Sequence, residues 1–301
     1  MRKTNDDRQS LYAEVTARVI AELEAGHVPW VQPWDSAKTA CTMPANAMTG
    51  RRYSGINVLI LWAAVVAGGY GAQRWLTFAQ ARAAGGSVRK GERGTTICYA
   101  DRFTPKGDAD TGCDTQPGDG EKPGTIAFLK RFTVFNIDQC EGLPDALHET
   151  PAVQPEAEIL PRVAALIKAS GAHVSIGGDH AFYAPASDMV VVPPPAAFGE
   201  SVNWYRTALH ELGHWTGHKT RLDRNQRGAF GSADYAREEL VAEMASAFAC
   251  AALSIQPTVR HADYIASWLG VLRQDDRAIV RAASAASEAA DYLLAYAPEA
   301  A

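Results

Sequence analysis

The sequence predicts an α+β fold in two domains, because strand and helix patterns occur in separate blocks and the chain is long for one domain. Its 301 residues are 47% hydrophobic and 21% charged, an ordinary globular composition that supports two cores without disulfides. Residues 142–158, GLPDALHETPAVQPEAE, place three prolines in a polar setting, as linkers do. We therefore predict domains at residues 1–145 and 158–301, joined by a linker over residues 146–157.

The first domain is predicted to begin with helices and to end with a pair of strands. Ser10 and Thr77 can cap helices whose apolar residues recur at helical spacing, and glycines follow each of these helices. β-branched and aromatic residues mark the two strands, which we expect to pair. The predicted helices lie at residues 10–26, 56–67 and 77–85, and the predicted strands at residues 94–100 and 125–137.

In the second domain, three short strands precede most of the helices. The predicted strands lie at residues 173–176, 180–184 and 189–192, and the predicted helices at 156–170, 201–218, 234–253, 257–273 and 276–297. A Gly177-Gly178 turn joins the first two strands, and Ser201 can cap the helix that follows the third. We expect the strands to form a short antiparallel sheet.

Cysteine usage and the apolar segments indicate a cytoplasmic protein. The five cysteines are scattered and lack CxxC spacing, as expected of reduced thiols. The first residues contain acidic side chains and no apolar signal region. Residues 53–73 carry no charge, but their continuous apolar part covers only residues 58–67, which is too short to cross a bilayer. We therefore expect no membrane partner.

The charge is distributed unevenly between the two predicted domains. The net charge of −5 divides into +1 for residues 1–145 and −6 for residues 146–301. Residues 107–124 form an acidic Gly/Asp/Pro segment, and without it the first domain carries +5. This difference suggests that the two domains have different partners.

A metal-binding motif lies at residues 210–214, where His210-Glu211-Leu212-Gly213-His214 fits the pattern HExxH. Histidines four residues apart lie on one face of a helix, so both imidazoles can bind one ion. Glu211 is then placed to take a proton from a water molecule that the metal activates. An ordinary polar helix face is the alternative, but the helix that follows favours a zincin-type site.

That following helix supplies the third ligand. Its segment AREELVAEMASAF contains Glu239 and Glu243 four residues apart, and catalytic zinc takes three protein ligands. In the glutamate-type zincins the first acid of such a pair binds the metal and the second holds a ligand histidine, which assigns Glu239 as the ligand and Glu243 as its support. The reverse assignment stays open, and Glu238 is a third alternative. Zinc is the expected metal and manganese the alternative.

Four further residues near the motif are assessed as ligands or catalytic groups. A metzincin requires a third histidine six residues after His214, and Thr220 occupies that position, so we exclude this class. His218 fits an outer-shell or surface role better than a ligand role. Tyr183 and Asp188 lie on the strands before the motif. Tyr183 could stabilise an oxyanion, or it could simply pack in the core. An edge strand at this place could also align an extended peptide.

The first domain interleaves lysines and arginines with aromatic residues, a mixture that can hold single-stranded nucleic acid through stacking and phosphate neutralisation. The alternative is that most of these aromatic residues form the core. Four of its segments, GHVPWVQPW, PANAMTGRRYSGINVLIL, GGYGAQRWLTFAQARAAGGSVRKGERG and FLKRFTVFNIDQCEGLP, resemble the N-terminal domain of the ArdC antirestriction family. Downstream, ALHELGHWTGH and YAREELVAEMASAF resemble the zincin-like metallopeptidase domain that accompanies it. The resemblance covers nearly the whole chain apart from the acidic segment.

This resemblance implies a protein that binds single-stranded DNA and protects incoming plasmid DNA from host restriction during conjugation. A restriction-system protein of the host is a further possible partner. At matching positions, the resemblance implies a nucleic-acid surface drawn from Arg51, Arg52, Tyr53, Asn57, Trp75, Arg89 and Lys90. Two alternatives remain open: a DNA-binding shield with a structural or vestigial metal, and a cytosolic metallopeptidase that does not bind nucleic acid.

Overall fold

The computed structural model describes residues 6–31, 41–103, 126–148, 155–229, 231–258 and 264–298. The acidic segment at residues 107–124 and the middle of the predicted linker lie outside these ranges. Within them, no helix combines the length and the apolar character that crossing a bilayer requires.

The N-terminal part alternates helices with short strands. Its elements are α1 (Asp6–Glu24), β1 (Ala45–Asn46), α2 (Ile56–Gly68), β2 (Arg74–Leu76), α3 (Phe78–Ala83), β3 (Ser87–Val88), β4 (Thr95–Phe103), β5 (Ile126–Asn136) and β6 (Cys140–Glu141). The three predicted helices and the long strand pair are present. The strands of two or three residues were not predicted, because so few residues show no periodicity.

The predicted N-cap residue is wrong for helix α1 and correct for helix α3. Helix α1 begins at Asp6, so Ser10 lies inside the helix and its predicted capping role is wrong. Helix α3 begins as predicted, because the Thr77 hydroxyl accepts a hydrogen bond from the Gln80 amide at 3.2 Å. The Gln80 side chain accepts one from the Thr77 amide at 2.9 Å, which completes a capping box.

The strands of the N-terminal part form a four-stranded sheet in the order β1-β2-β5-β4 and a separate pair, β3-β6. Strands β4 and β5 are antiparallel over nine residue pairs, from Thr95 opposite Val134 to Phe103 opposite Ile126. Strand β2 is antiparallel to β5 and parallel to β1. The sheet therefore brings residues 45–46 beside residues 74–76, although almost thirty positions separate them in sequence.

The C-terminal part places one small sheet against a group of helices. Its elements are α4 (Glu156–Ala169), β7 (His173–Ile176), β8 (Phe182–Ala184), β9 (Met189–Val192), α5 (Ser201–Trp215), α6 (Ala233–Ala252), α7 (Ile265–Gln274) and α8 (Ala278–Leu294). The sheet has the order β7-β9-β8, with β8 antiparallel and β7 parallel to β9. Residues 177–178 therefore do not close a hairpin, because β9, whose Val190 and Val192 are fully buried, takes the central position.

Helices α5 and α7 are both shorter than predicted. Helix α5 ends at Trp215 rather than at residue 218, and Glu200, not Ser201, occupies its N-cap position. Helix α7 begins at Ile265, whereas the prediction began at residue 257. Residues 255–258 contain Pro257 and form no helix, which agrees with the exclusion of proline from helix interiors.

The N-terminal and C-terminal parts share one hydrophobic core. Trp30 contacts Trp268 edge to face, with ring centroids 5.2 Å apart, and helix α1 packs against α7. Helix α2 packs against α8. Trp62 of α2 also contacts Phe248 of α6, with ring centroids 5.7 Å apart. The Gly55 amide donates to the Ser287 hydroxyl at 2.7 Å. Residues of both parts consequently belong to one continuous cluster of buried side chains.

We predict that this shared core unfolds as one unit. The Trp268 side chain is fully buried, and truncation of a buried tryptophan costs about 3–5 kcal/mol of unfolding free energy. In Trp268→Ala, urea unfolding followed by circular dichroism and by fluorescence should shift to lower urea in one coincident transition. Two separated transitions would show instead that the two parts fold independently.

Candidate metal centre

The candidate centre lies where helices α5 and α6 approach each other most closely. Gly213, between the two motif histidines, faces Ala242, and a Cβ atom added at Gly213 would lie 3.4 Å from the Ala242 Cα and carbonyl oxygen. A glycine at the crossing therefore lets the two backbones come together. Because side chains four residues apart share a helix face, this contact turns His210 and His214 toward Glu239.

The three predicted ligands converge in the structure. Glu239 Oε2 lies 3.6 Å from His210 Nε2, and Glu239 Oε1 lies 3.4 Å from His214 Nε2. One donor atom from each of the three residues lies within 4.8 Å of the other two. Since zinc–ligand distances are about 2.0–2.2 Å, a single ion between these atoms could bind all three. The residues present therefore fit a divalent metal.

The second nitrogen of each imidazole faces a different carboxylate. Glu243 Oε1 lies 3.8 Å from His210 Nδ1, and Glu238 Oε1 lies 3.2 Å from His214 Nδ1. A carboxylate at Nδ1 favours a proton there and leaves the Nε2 lone pair for a metal. The geometry therefore favours Glu239 over Glu243 as the third ligand, and it places Glu238 behind His214 rather than in the ligand set.

Two loop residues that the sequence analysis missed hold Glu238 in place. The Arg224 guanidinium contacts both carboxylate oxygens, at 2.7 Å and 3.1 Å, and the Gln226 amide donates to Oε1 at 3.1 Å. Neither residue belongs to a helical pattern, and both come from the loop between α5 and α6. The adjacent glutamates at positions 238 and 239 could have indicated a second carboxylate near the histidines. No spacing in the sequence indicates Arg224.

The same loop also terminates helix α5. Arg221 donates to the Trp215 carbonyl at 2.6 Å, Arg224 to the Gly213 carbonyl at 2.7 Å, and Gln226 to the His214 carbonyl at 2.6 Å. The last carbonyls of a helix have no partner within it, and cationic side chains there also favour the negative end of the helix dipole. These contacts explain why the helix stops three residues before its predicted end.

The buried charges of the centre influence one another strongly. Burial by itself would lower the pKa of His214, but the neighbouring Glu238 and Glu239 outweigh it and raise that pKa to about 10. Burial would raise the pKa values of both glutamates, yet their contacts with His214, together with Arg224 for Glu238 and His210 for Glu239, lower them. The centre is therefore an anionic site that favours a cation.

The centre opens on one side into a cleft of about 710 Å³. Its floor includes Glu211 together with the three candidate ligands, and strand β8 contributes one wall through Phe182 and Tyr183. Strand β8 lies at the edge of its sheet. Tyr235 and Tyr264 also line the cleft. The arrangement places a buried carboxylate, the ligand set and a strand edge around a space large enough for a peptide segment.

Tyr183 and Asp188 connect the sheet to the loop that follows helix α5. The Tyr183 hydroxyl donates to Asp188 at 2.8 Å, and Arg221 forms an ion pair with the same carboxylate. The Arg221 guanidinium also lies 3.9 Å above the Trp215 ring. Burial, and then the Asp188 contact, raise the pKa of Tyr183 above its ordinary value. Because this hydroxyl is already donated to Asp188, Tyr183 is a poor candidate for an oxyanion donor.

Tyr235 contacts the candidate ligand Glu239 directly, and the sequence analysis missed it. Its hydroxyl lies 3.1 Å from that of Tyr264, and it interacts with the Glu239 carboxylate. Burial, followed by these two neighbours, raises the pKa of Tyr235, so the hydroxyl keeps its proton. Tyr235 precedes Glu239 by four residues on one helix face, a spacing that could have identified it. His218, by contrast, is half-exposed and contacts Thr220, as its predicted surface role requires.

The predicted nucleic-acid residues divide into two groups. Trp75 is fully buried, and Asn57 hydrogen-bonds the backbone of Cys98 through both of its side-chain ends, at 2.6 and 2.8 Å. These two residues build the core, and we remove them from the candidate surface. Tyr53 is half-buried, and Arg89 is paired with Glu92 at 2.9 Å. The exposed cations of the predicted set are Arg51, Arg52, Arg89 and Lys90.

We predict that the helix crossing at Gly213 controls the metal affinity of the centre. Gly213→Val places methyl groups against the Ala242 backbone, which should cost about 1–3 kcal/mol of stability and weaken metal binding about 10–100-fold. Gly213→Ala, whose Cβ makes only an ordinary contact, is the matched control. Thermal unfolding and competition with a chelator measure both effects. Unchanged metal affinity in Gly213→Val would refute this dependence.

Comparison with known proteins identifies relatives for both parts of the chain. The sequence-family model for the N-terminal domain of anti-restriction factor ArdC matches residues 9–135. The family model for a zincin-like metallopeptidase matches residues 161–285. The uncharacterized protein y4eC of Sinorhizobium fredii is 41% identical over 97% of this chain and 94% of its own length. A DNA primase TraC of Escherichia coli is 39% identical over 96% of this chain, which spans only 27% of that protein.

Two solved structures are similar over nearly their whole length. The metal-free crystal structure of the antirestriction ArdC protein from the R388 plasmid has a TM-score of 0.79 and 38% identity, covering 95% of this chain and 97% of that one. The Mn(II)-bound structure of the same protein has a TM-score of 0.76 and 37% identity, with 96% and 98% coverage. The chain therefore belongs to the ArdC antirestriction family.

Proposed function

We propose that this chain is an antirestriction protein that binds single-stranded DNA through its N-terminal part and carries a metallopeptidase-type centre in its C-terminal part. The observation that carries the second half is the convergence of two imidazole Nε2 atoms and the Glu239 carboxylate beneath an open cleft. The ArdC-type N-terminal region and its exposed cations support the first half. Membership of the ArdC antirestriction family supports the proposal that the chain protects DNA from restriction during conjugation.

His210, His214 and Glu239 would hold the ion, and their two nitrogens and one carboxylate oxygen suit zinc or manganese. Zinc is the usual metal of zincin-type sites, whereas the related R388 protein has a Mn(II)-bound structure. When bound, a divalent ion supplies Lewis acidity toward a carbonyl oxygen. Glu243 and Glu238 orient the two imidazoles from behind.

The protein's own residues then perform the proton transfers. Glu211, buried at the floor of the cleft, takes a proton from a water molecule as its oxygen attacks a peptide carbonyl, and returns it to the departing amine. The Tyr235 hydroxyl keeps its proton and lines the cleft, and in this proposal it exchanges its contact with Tyr264 or Glu239 for a hydrogen bond to the oxygen that becomes negatively charged. The exposed edge of strand β8 aligns the backbone of an extended peptide along the cleft.

We predict that metal content distinguishes ligands from supporting residues. Purified wild-type protein should contain about one divalent ion per chain by elemental mass spectrometry. His210→Ala and Glu239→Ala should lose it, because each removes a donor atom. Glu243→Ala and Glu238→Gln should bind metal about 10–100-fold more weakly without losing the site. Metal that survives Glu239→Ala but not Glu243→Ala would reverse the ligand assignment, and a metal-free wild type would reject the centre.

We predict that Glu211→Gln keeps its metal but loses hydrolysis by about 10²–10⁴-fold, because the amide cannot accept the proton of the attacking water. A fluorescence-quenched peptide library, followed by candidate restriction subunits of the host, provides the substrates. Unchanged cleavage of any peptide that wild type hydrolyses would refute the role of Glu211.

The same variant separates the proposal from its two alternatives. In conjugation into a restricting host, Glu211→Gln should lose protection if the peptidase is required, and should keep it if the protein is a DNA-binding shield. Full-length variants are the appropriate material, because the two parts share one core. Wild-type protein that binds no single-stranded DNA at low salt would leave only the metallopeptidase alternative.

A further inference from the structure

Two large apolar side chains are exposed on segments of the N-terminal part that hydrogen bonds join to each other. Phe78 is 54% exposed and Met48 is 43% exposed, although both are well suited to a core. The turn that carries Met48 is joined to strand β2, which directly precedes helix α3, because the Ala47 amide donates to the Trp75 carbonyl at 2.8 Å. Exposed apolar side chains grouped in this way indicate a binding surface.

The turn at residues 46–51 is held rigidly by the side chain of Asn46. Its Oδ1 atom accepts hydrogen bonds from the amides of Met48 and Thr49 at 3.1 and 3.0 Å, and its Nδ2 donates to Gln80 of α3 at 3.1 Å. The Asn46 amide also donates to the Arg51 carbonyl at 2.9 Å. Because the turn is already ordered, binding a ligand there loses little conformational entropy.

Three exposed arginines accompany these apolar side chains. Arg51 and Arg52 lie on the turn, and Arg82 follows Phe78 by four residues, which places both on one face of α3. Within the part of the chain that the structure describes, no carboxylate forms an ion pair with any of the three. Arg89 differs, since Glu92 partly neutralises it. Three cationic side chains on these adjoining segments favour an anionic partner.

We propose that this surface, defined by Met48, Arg51, Arg52, Phe78 and Arg82, is where the chain holds single-stranded DNA. One base stacks on the Phe78 ring with Met48 at its edge, and the adjoining phosphates contact Arg51 and Arg82. A duplex keeps its bases paired and stacked, so it offers the phosphates but no base to Phe78. The inference rests on the proposed function and assigns its stacking residue, which the nucleic-acid set implied by the family resemblance does not include.

The test is fluorescence anisotropy of full-length protein with a labelled single-stranded 30-mer of mixed sequence, at several salt concentrations. Phe78→Ala should weaken binding about 5- to 150-fold, the equivalent of about 1–3 kcal/mol per stacked base, with no change in the salt dependence. Phe78→Trp should retain the affinity, because the larger ring also stacks. Arg51→Gln and Arg82→Gln should each reduce the slope of log K against log salt by about 0.7.

Phe132→Ala is the matched control, because Phe132 is a similarly exposed aromatic on strand β5. Its binding should equal that of wild type, and circular dichroism should show that every variant is folded. Wild-type affinity in Phe78→Ala, or a loss in Phe132→Ala alone, would overturn this surface while leaving the DNA-binding function intact. A wild type that binds no single-stranded DNA at low salt would instead remove the function on which the surface depends.

Discussion

The contact of Gly213 with Ala242 is the constraint on which the candidate centre depends. It brings α5 and α6 close enough for the imidazoles of one helix to meet the carboxylates of the other. Burying such groups is unfavourable unless each finds a partner. Glu239 lies between the Nε2 atoms of the two histidines. Glu243 faces the Nδ1 atom of His210, and Glu238 faces that of His214. Arg224 pairs with Glu238. A divalent cation would complete this anionic arrangement.

The loop between these helices links the end of α5 to the metal centre. Arg224 serves two groups at once, because it binds both the Gly213 carbonyl and the Glu238 carboxylate. Arg221 does the same for the Trp215 carbonyl and Asp188, which connects the helix end to the sheet. Helix termination and the orientation of His214 therefore depend on the same side chains. A change in this loop would alter the imidazole position without touching a metal ligand.

The shared core determines how the two parts can be studied. Helix α6 carries Glu239 near its start and Phe248 near its end, and Phe248 packs against Trp62 of the N-terminal part. Deleting that part would expose this face of the metal-bearing helix. The proposed DNA binding and the proposed metal chemistry are consequently to be tested by single substitutions, such as those at Phe78 and Glu211, and not by truncation.

The sequence by itself determined the element types, the HExxH helix and the acids after it, because these depend on periodicity within one segment. It also identified the family through several segments in fixed order. The tertiary structure decided what depends on contacts between distant segments: the central place of β9, the burial of Trp75, and the choice of Glu239 over Glu243 to face both Nε2 atoms. The role of Arg224 became visible only there, since a loop side chain acquires its partner through folding.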